Sequence, residues 1–229
     1  MKSSDALVEL KNVYKSYDKG LVQAVSGVSL VLETGKIYVL TGASGCGKST
    51  LLNMIGTIDM PTNGEIFYEG KSIKYLGNLS NFRRDFIGFV FQFHYLIPVL
   101  TLRENIEMAM LSNPKFSALE KKKRSIALLR HMGLRDKAEA YANAVSGGER
   151  QRGAIARALA NTPTLILADE PTGNIDSKTT RMILDTLSTY VQQGEGTLLI
   201  ATHDQDVTDI ADVVITMEDG KIVSIIETV

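Results

Sequence analysis

The stretch "GASGCGKST", residues 42–50, combines three glycines, a lysine and hydroxyl side chains at a spacing that suits phosphate binding. It fits the pattern G-x-x-x-x-G-K-[ST]. Glycines adopt dihedrals closed to other residues, so consecutive N–H groups can turn toward phosphate oxygens at the positive end of a following helix. Lys48 would reach the β- and γ-phosphates, and the Ser49 hydroxyl would ligate Mg²⁺. The pattern therefore predicts a nucleotide site.

A pair of carboxylates, Asp169 and Glu170, ends the apolar run "LILADE". Ligands of open α/β sheets collect at the carboxyl ends of strands, and adjacent carboxylates repel unless a cation or proton intervenes. Alternation along the strand gives them different tasks: Asp169 would hold Mg²⁺ through water, and Glu170 would face an attacking water as general base. The alternative is that Glu170 only caps the segment that follows.

Two more polar side chains follow predicted strands: His203 in "LLIATHDQ" and Gln92 at the end of "IGFVFQ". If their strands neighbour the one carrying Glu170, the imidazole could reach a γ-phosphate and hold the water in line. Gln92 could contact the metal or the water. Structural roles remain open for both, as a satisfied surface histidine and as a glutamine bonded to backbone.

A second glycine-rich turn opens "VSGGERQRGAIARALA", residues 145–160, which reads as a helix. Its first turn offers N–H groups and the positive end of a helix dipole to an anion. The residues concerned are Ser146, Gly147, Gly148 and Glu149. Because the first turn is already sufficient for the phosphates of one nucleotide, the ligand of the second is an open question.

The elements that must position these residues are short β-branched runs, which read as strands. The early runs alternate or pair through glycine turns, as in a half-exposed antiparallel sheet, whereas three later ones are continuously apolar, as in a buried parallel sheet. The buried ones are 36–40, 165–169 and 197–202; the others are 8–13, 28–33, 64–70, 87–92, 213–217 and 221–226. They predict an α/β core with an antiparallel flank.

Helical periodicity takes over from about residue 101 to residue 160, with Gly133 as a helix stop. A helical lobe is therefore expected as an insertion in the core. The Lys and Arg run at 121–124 reads as the solvated face of one of its helices. The whole chain, 1–229, is expected to be a single domain, with the core and its flank at 1–92 and 161–229 and a helical subdomain at about 93–160.

Composition narrows the class of protein. The net charge of −1 gives no long-range attraction to nucleic acid, so no nucleic-acid partner is expected. A single cysteine, Cys46, excludes an internal disulfide framework and fits a reducing compartment. No apolar run approaches the roughly 18–20 residues that span a bilayer, and the first residues lack the apolar stretch of an export signal. A cytoplasmic chain is expected.

Residues 42–49, Gln92, "SGGERQR", "LILADE", "GNID" and His203 occur in an order that resembles the ATP-binding subunit of ABC transporters over nearly the whole chain. The resemblance implies a P-loop NTPase (RecA-like) core and hydrolysis of ATP, with Mg²⁺, coupled to transport. It implies ATP binding by Gly42, Ala43, Ser44, Gly45, Cys46, Gly47, Lys48, Ser49 and Thr50. It implies catalysis by Glu170, His203, Gln92 and Lys48, and metal ligation by Ser49, Gln92 and Asp169.

The same resemblance assigns the second glycine-rich turn, Ser146 to Glu149, as the signature motif, which binds the γ-phosphate of ATP held by another subunit. A homodimer arranged head to tail, sharing two ATP molecules, is therefore implied. "GNID", ending in Asp176, resembles the D-loop that crosses between the subunits. Tyr17 matches the aromatic position that stacks on adenine; an ordinary strand-edge tyrosine is the alternative.

The signature helix departs slightly from the family pattern. Val145 stands where leucine is usual, and Glu149 where glutamine is common. Gly153 replaces an apolar residue and should cost about 1 kcal/mol of helix propensity relative to alanine.

"FQFHYLIP" (91–98) and "DEPTGNID" (169–176) look like the branch of the family that includes lipoprotein-release, macrolide-efflux and cell-division ATPases. That likeness implies separate integral membrane subunits as partners and a position on the cytoplasmic face of the inner membrane. The apolar stretch 93–98 is a candidate docking surface for a partner helix, with core packing of Phe93 and Leu96 as the alternative. The chain ends soon after His203, without room for the regulatory domain of several importer ATPases, which favours export or mechanotransmission.

An importer subunit, or a soluble ABC ATPase acting on DNA or ribosomes, is the alternative. The segment between Lys48 and Ser146 has no sustained heptads, as the coiled coil of DNA-repair relatives would require, and only one cassette is present.

Overall fold

The computed structural model describes residues 6–173 and 175–228. These residues form ten strands and six α-helices. The strands are β1 (Ala6–Tyr17), β2 (Val22–Glu33), β3 (Ile37–Thr41), β4 (Asn63–Tyr68), β5 (Lys71–Ser72), β6 (Ile87–Val90), β7 (Leu165–Asp169), β8 (Thr197–Ala201), β9 (Val213–Glu218) and β10 (Lys221–Glu227). The helices are α1 (Lys48–Ile55), α2 (Leu79–Phe86), α3 (Leu102–Ala109), α4 (Ala118–His131), α5 (Gly147–Ala158) and α6 (Ser177–Gln192).

Six strands form the central sheet, in the order β10-β9-β3-β8-β7-β6. All neighbours in it are parallel except β10, which runs antiparallel to β9. The first four residues of β3 and of β7, and all five of β8, are buried, because both faces of the sheet are covered. The predicted buried parallel strands are confirmed.

A second, four-stranded sheet forms the antiparallel flank, in the order β2-β1-β4-β5. Its burial pattern alternates in part, as expected of a sheet with one solvated face. The short strand β5 was not predicted, because two residues carry no readable period. The predicted strand 87–92 ends earlier than expected, at Val90, so that Gln92 lies in the loop beyond it.

Each face of the central sheet belongs to a separate hydrophobic cluster. Along β7, Ile166 and Ala168 pack with α3, α4, α5 and α6, whereas Leu165 and Leu167 pack with α1 and the antiparallel flank. Successive side chains of a strand point to opposite faces, so one apolar run serves both clusters. The helical lobe and the flank are thus held on opposite sides of the strands that carry the site.

The predicted helices of the lobe are confirmed as α3, α4 and α5, each opened by a capping box. The N-cap side chains are Thr101, Ser117 and Ser146. Helix α4 ends at His131, and Gly133 follows with φ 66°, as a helix stop requires. Helix α2 was not predicted; it is short, and Phe82 and Phe86 dock it on the ring of Tyr68.

The prediction that residues 121–124 form a solvated face is wrong for Arg124. Its guanidinium donates to the carbonyl oxygens of Leu159 and Ala160, just after α5 ends. A cation is favourable there because the last carbonyls of a helix lack intrahelical partners. Lys122 and Lys123 are exposed, as expected.

Within residues 6–173 and 175–228, the helices are all too short or too polar to span a bilayer.

Candidate nucleotide site

The carboxyl ends of three neighbouring strands meet at one edge of the central sheet. Ala201 of β8 pairs with Leu40 of β3 on one side and with Asp169 of β7 on the other. Two backbone hydrogen bonds continue this pairing just beyond the strand ends: Glu170 N–H donates to the Ala201 carbonyl, and Thr202 N–H donates to the Leu40 carbonyl. Residues 42–50, the two carboxylates and His203 are therefore brought to the same edge.

The turn between β3 and α1 depends on glycine at two positions. Gly42 and Gly47 have φ of 146° and 106°, and a Cβ built on them would lie 2.2 Å from the Met217 carbonyl oxygen and 2.3 Å from the Ala24 carbonyl oxygen. No side chain could be accommodated at that distance without moving backbone. The loop is thus packed closely between β2 and β9, and its shape depends on glycine at these two positions.

Lys48 opens α1 and folds back over this turn. Its Nζ donates to the carbonyl oxygens of Gly42, at 2.7 Å, and Ala43, at 3.0 Å, and the residue is only 7% exposed. The ammonium therefore sits inside the ring of backbone that the glycines make. Cys46 is buried in the same turn, with Sγ packed against Gly42, which favours the interpretation of Cys46 as a small packing residue.

Asp169 lies beside Ser49, the second residue of α1, and accepts a hydrogen bond from its side chain. Burial raises the pKa of the Asp169 carboxyl; the Ser49 bond lowers it in part, the charge of Glu170 raises it further, and Lys48 lowers it. A half-buried carboxylate beside a hydroxyl and a second carboxylate is a set of oxygen donors for a small hard cation. No cluster of three His, Cys, Asp or Glu occurs in the part of the chain that the structure describes, so phosphate and water would have to complete such a site.

Glu170 is held from both sides of its carboxylate. Thr202 Oγ1 donates to Oε2 at 3.1 Å, and His203 Nδ1 lies 2.8 Å from Oε1. Glu170 also has a left-handed backbone, with φ 46°, which costs a non-glycine residue about 1–2 kcal/mol. With its proton on Nδ1 the imidazole donates to Glu170 and presents Nε2 outward, since the His203 side chain is 73% exposed. The arrangement does not support Glu170 as a helix cap, because Asp176 caps α6.

Gln92 lies in the loop after β6, exposed, and its Nε2 is 4.0 Å from the Cβ position of Gly173, on the segment that follows Glu170. Its side chain forms no hydrogen bond with any residue in 6–173 or 175–228, so the structural alternative of a backbone bond finds no support. Among the described residues, the Gln92 amide therefore lies beside the carboxylate edge without a hydrogen-bond partner.

Tyr17 ends β1 beside the first turn of α1. Its hydroxyl donates to Asp59 Oδ2 at 2.7 Å. Burial, and then the bond to Asp59, raises the pKa of the phenol, while a hydrogen bond with Thr50 acts in the opposite direction. The contact with Thr50 puts the ring next to the turn at residues 42–50, although the two are far apart along the chain.

The second glycine-rich turn makes no hydrogen bond to this edge among the described residues. Ser146 is exposed, and its Oγ accepts from Glu149 N–H while Glu149 Oε2 accepts from Ser146 N–H. Gly148 packs near Thr179, whose N–H and hydroxyl both donate to Asp176. The structure therefore brings the second turn and Asp176 together through Thr179; Asn174 of the "GNID" stretch lies outside the described residues.

Two residues of α5 explain how this helix is seated. A Cβ on Gly153 would lie 3.1 Å from Leu102 Cδ2 and 3.5 Å from Leu96 Cδ1, so close packing against α3 compensates for the poor helix propensity of glycine. Gln151 is buried and donates from Nε2 to the Pro171 carbonyl at 2.7 Å, which ties α5 to the segment after Glu170. Val145, in the place of the usual leucine, is buried.

Thr202, Asp59, Thr179 and Gln151 are contacts of the site that sequence reasoning missed. A signal existed only for Thr202, which immediately precedes His203 at a predicted strand end. The others meet their partners across the fold, and no spacing indicates such contacts.

Similarity to known proteins agrees with this geometry. Residues 25–173 match the ABC transporter family. The lipoprotein-releasing system ATP-binding protein LolD of Aquifex aeolicus is 43% identical over 216 residues, 93% of each chain. The macrolide export ATP-binding/permease protein MacB of Pasteurella multocida is 39% identical over 225 residues, which are 95% of this chain and 34% of that protein.

The structure also resembles the ATP-binding cassette MJ0796, solved as a dimer in a post-hydrolysis state bound to ADP and Pi. The TM-score is 0.90, with 39% identity, over 96% of this chain and 98% of that chain. The expected α/β P-loop fold is confirmed. The chain therefore belongs to the ABC transporter family, as one of its ATP-binding, ATP-hydrolysing subunits.

Proposed function

We propose that two copies of the chain associate head to tail and hold two ATP molecules between them. Residues 42–50 of one copy and Ser146 to Gly148 of the other would grip each triphosphate. One observation carries this: the N-cap of the second turn, Ser146, is exposed, Gly147 and Gly148 are partly exposed, and no hydrogen bond among the described residues joins the turn to residues 42–50. A helix N-terminus that faces outward takes its anion from outside the chain. The dimeric state of MJ0796 supports the arrangement.

Within one copy, the N–H groups of residues 42–50 contact the phosphates, and Lys48 exchanges the two carbonyl oxygens that it now contacts for oxygens of the β- and γ-phosphates. The burial of Lys48 strengthens this attraction, because the ammonium is poorly screened by water. The ring of Tyr17 stacks on the adenine.

Magnesium fits the donor set beside the phosphates. Ser49 and Asp169 offer adjacent oxygens, and the amide oxygen of Gln92, which has no hydrogen-bond partner among the described residues, would join them. Held there, Mg²⁺ would supply neutralisation of the phosphate charge.

Glu170 acts as general base. Its carboxylate takes a proton from water as the water oxygen bonds to the γ-phosphorus; the bond from phosphorus to the β–γ bridging oxygen breaks, and ADP departs with the electron pair. Thr202 and His203 hold the two carboxylate oxygens, which fixes the direction in which the base can accept. The outward ring nitrogen of His203 would contact the γ-phosphate.

The head-to-tail arrangement is tested with Ser146→Arg in a Glu170→Gln background, which preserves ATP. The bulky cation fills the space in front of the helix N-terminus, so the ATP-dependent dimer that we expect on a sizing column should not form, while monomer binding of ATP remains. Ser117→Arg is the matched control, because Ser117 is also an exposed N-cap with a capping box, on α4. A dimer that survives Ser146→Arg, or one lost equally in Ser117→Arg, contradicts the proposal.

We further propose that the chain drives separate integral membrane subunits of a lipoprotein-release or efflux system, from the cytoplasmic face of the membrane. The names of LolD and MacB support this class. We propose that the core and its flank comprise residues 1–92 and 161–229 and that a helical subdomain comprises about 93–160. The docking surface for the membrane subunits lies at the start of this subdomain.

The docking surface is the exposed apolar set Phe93, Tyr95, Ile97 and Val99. Beside it runs a groove of about 500 Å³ lined by Phe89, Phe91 and Tyr95 together with Arg83, Arg84 and Arg157. Arg157 donates to the carbonyl oxygens of His94 and Tyr95 and so fixes the loop. Leu96 instead packs against the core of the helical lobe, as the core-packing alternative expected for it, whereas Phe93 is exposed.

Phe93→Asp should sharply reduce copurification with the membrane subunits, because a carboxylate replaces the apolar contact. Tyr75→Asp is the control, since Tyr75 is 73% exposed, like Phe93 at 69%, but lies on the antiparallel flank. Equal copurification of the Phe93 variant and wild type would remove this surface from the proposal.

A further inference from the structure

A closed network of polar groups surrounds the hydroxyl of Tyr17, and it involves two residues without an assigned role. Asp59 Oδ2 accepts from the Tyr17 hydroxyl at 2.7 Å, and Asp59 Oδ1 accepts from Lys15 Nζ at 2.5 Å and from Met60 N–H at 2.8 Å. Lys15 Nζ also donates to the Met60 carbonyl at 2.8 Å. Both carboxylate oxygens of Asp59 are thus used in binding the end of β1 to the loop after α1.

The network is sheltered. The side chain of Lys15 is 13% exposed and that of Asp59 is 30% exposed, so their ion pair is partly screened from water. Hydrogen bonds from Lys15, Tyr17 and Met60 outweigh the opposing effect of burial and lower the pKa of Asp59, which keeps it an acceptor at neutral pH. The phenol, whose pKa is raised, stays a donor.

The network also sets the plane of the Tyr17 ring. Lys15 Nζ lies 5.0 Å from the ring centroid, so the ammonium occupies one face of the ring while the hydroxyl is fixed by Asp59. The residue is still 37% exposed, which leaves aromatic surface open to a ligand. A ring held in this way has lost its rotational freedom before a base stacks on it, and preorganisation of this kind is gained as affinity.

We propose that Asp59, with Lys15, is a positioning residue for the nucleobase: it orients the Tyr17 ring and thereby sets the affinity for adenine nucleotides, without acting on the phosphates. The inference rests on the proposed stacking of Tyr17 on adenine. The ligands that Asp59 affects are nucleotides, which carry a base. The binding of a phosphate chain without a base should not depend on Asp59.

The test uses the full chain with Mg²⁺ and calorimetric titration with ADP and with inorganic tripolyphosphate. Asp59→Ala should raise the Kd for ADP by about five- to tenfold, on the scale of a weakened base–aromatic stack. The Kd for tripolyphosphate and kcat at saturating ATP should stay within about twofold of wild type. Tyr17→Phe, which keeps the ring but loses the hydroxyl, should reproduce the loss for ADP, and the double variant should add nothing to it.

Asp59→Asn keeps an acceptor for the Tyr17 hydroxyl and should fall between Asp59→Ala and wild type, which serves if the alanine variant folds poorly. Equal loss of affinity for ADP and tripolyphosphate would overturn the inference, because Asp59 would then support the phosphate-binding turn. Tyr17→Ala separates the two proposals. If Tyr17→Ala raises the Kd for ADP by about tenfold while Asp59→Ala and Asp59→Asn leave it unchanged, only the inference about Asp59 fails. If Tyr17→Ala leaves the Kd unchanged, the stacking of Tyr17 on adenine is refuted, and the inference fails with it.

Discussion

The chain contains two glycine-rich turns that each open a helix, and they are built in opposite ways. In the first, Gly42, Gly45 and Gly47 all have left-handed φ, and Lys48 closes over the turn. In the second, Gly147 and Gly148 are not left-handed, and the Ser146 side chain is occupied by the cap of its own helix.

The surroundings of the glycines differ as well. A side chain on Gly42 or Gly47 would collide with backbone carbonyls, whereas a Cβ on Gly147 meets nothing within 4 Å. The first turn therefore needs glycine to fold, and the second needs it only if something approaches from outside. Two turns of similar composition thus differ in shape: the first is a concave loop enclosed by backbone, and the second is an open surface.

The largest difference between the two turns should be in catalysis, because we assign ATP hydrolysis to residues at the edge of the central sheet beside the first turn. Glu170→Gln removes the base and preserves the phosphate contacts, so kcat for ATP hydrolysis should fall by about 10²-fold or more with little change in ATP affinity. A phosphate-release assay under saturating ATP measures it.

Glu227→Gln is the matched control, because Glu227 lies on the exposed edge strand β10 with its side chain 77% exposed. Wild-type turnover in Glu170→Gln would remove this carboxylate from the reaction. A large loss in both variants would point to a general effect of charge.

The next difference should appear in stability. Gly47→Ala forces a side chain into left-handed backbone and against the Ala24 carbonyl, and should cost more than about 2 kcal/mol of unfolding free energy. Gly147→Ala replaces glycine at a helical position with open space around it, and should be neutral or stabilising by up to about 1 kcal/mol. Urea unfolding of the two variants measures both. Equal costs would mean that the second turn is as tightly built as the first.

The same contrast explains what the sequence could and could not predict. The runs 165–169 and 197–202 were readable as buried strands because they are continuously apolar, and the ends of parallel strands meet at one edge; Asp169, Glu170 and His203 could be grouped on that basis alone. The first turn was readable because its glycines are fixed by backbone geometry within a short motif.

Contacts made across the fold were not readable. Asp59 meets Tyr17 through the pairing of distant segments, and Gln151 reaches the Pro171 carbonyl from another element. Arg124 looked like part of a solvated run because only its neighbours in sequence were visible, while its acceptors follow α5. Such pairs depend on how whole elements pack, which local spacing does not encode.

The smallest expected difference concerns charge. Burial, with the nearby Glu170 charge, raises the pKa of Asp169 at the first site, whereas hydrogen bonds from Ser146 lower the pKa of Glu149 at the second. Asp169 thus binds its proton more tightly folded than unfolded, so its favourable contribution exists at low pH and is lost as pH rises through the folded pKa. Glu149 does the reverse: its contribution is present above the unfolded pKa and is lost as pH falls through the folded one.

At neutral pH without nucleotide, Asp169→Asn should therefore raise the thermal unfolding midpoint by about 1–3 °C, because a neutral amide replaces a carboxylate that is costly to bury. Glu149→Gln should lower the midpoint slightly, since the capping box loses its charge-assisted bond. The Asp169→Asn shift should disappear below about pH 4, near the pKa of an unfolded aspartate, whereas the Glu149→Gln shift should disappear only once the pH has fallen through the lowered folded-state pKa of Glu149. Scanning calorimetry across this pH range measures them, and a destabilised Asp169→Asn would mean that the Ser49 bond outweighs burial. We expect Asp169 to be required for hydrolysis. If its substitution stabilises the chain without nucleotide, the site beside the first turn is less stable than it could be because it must bind its ligand. The second turn shows no such conflict.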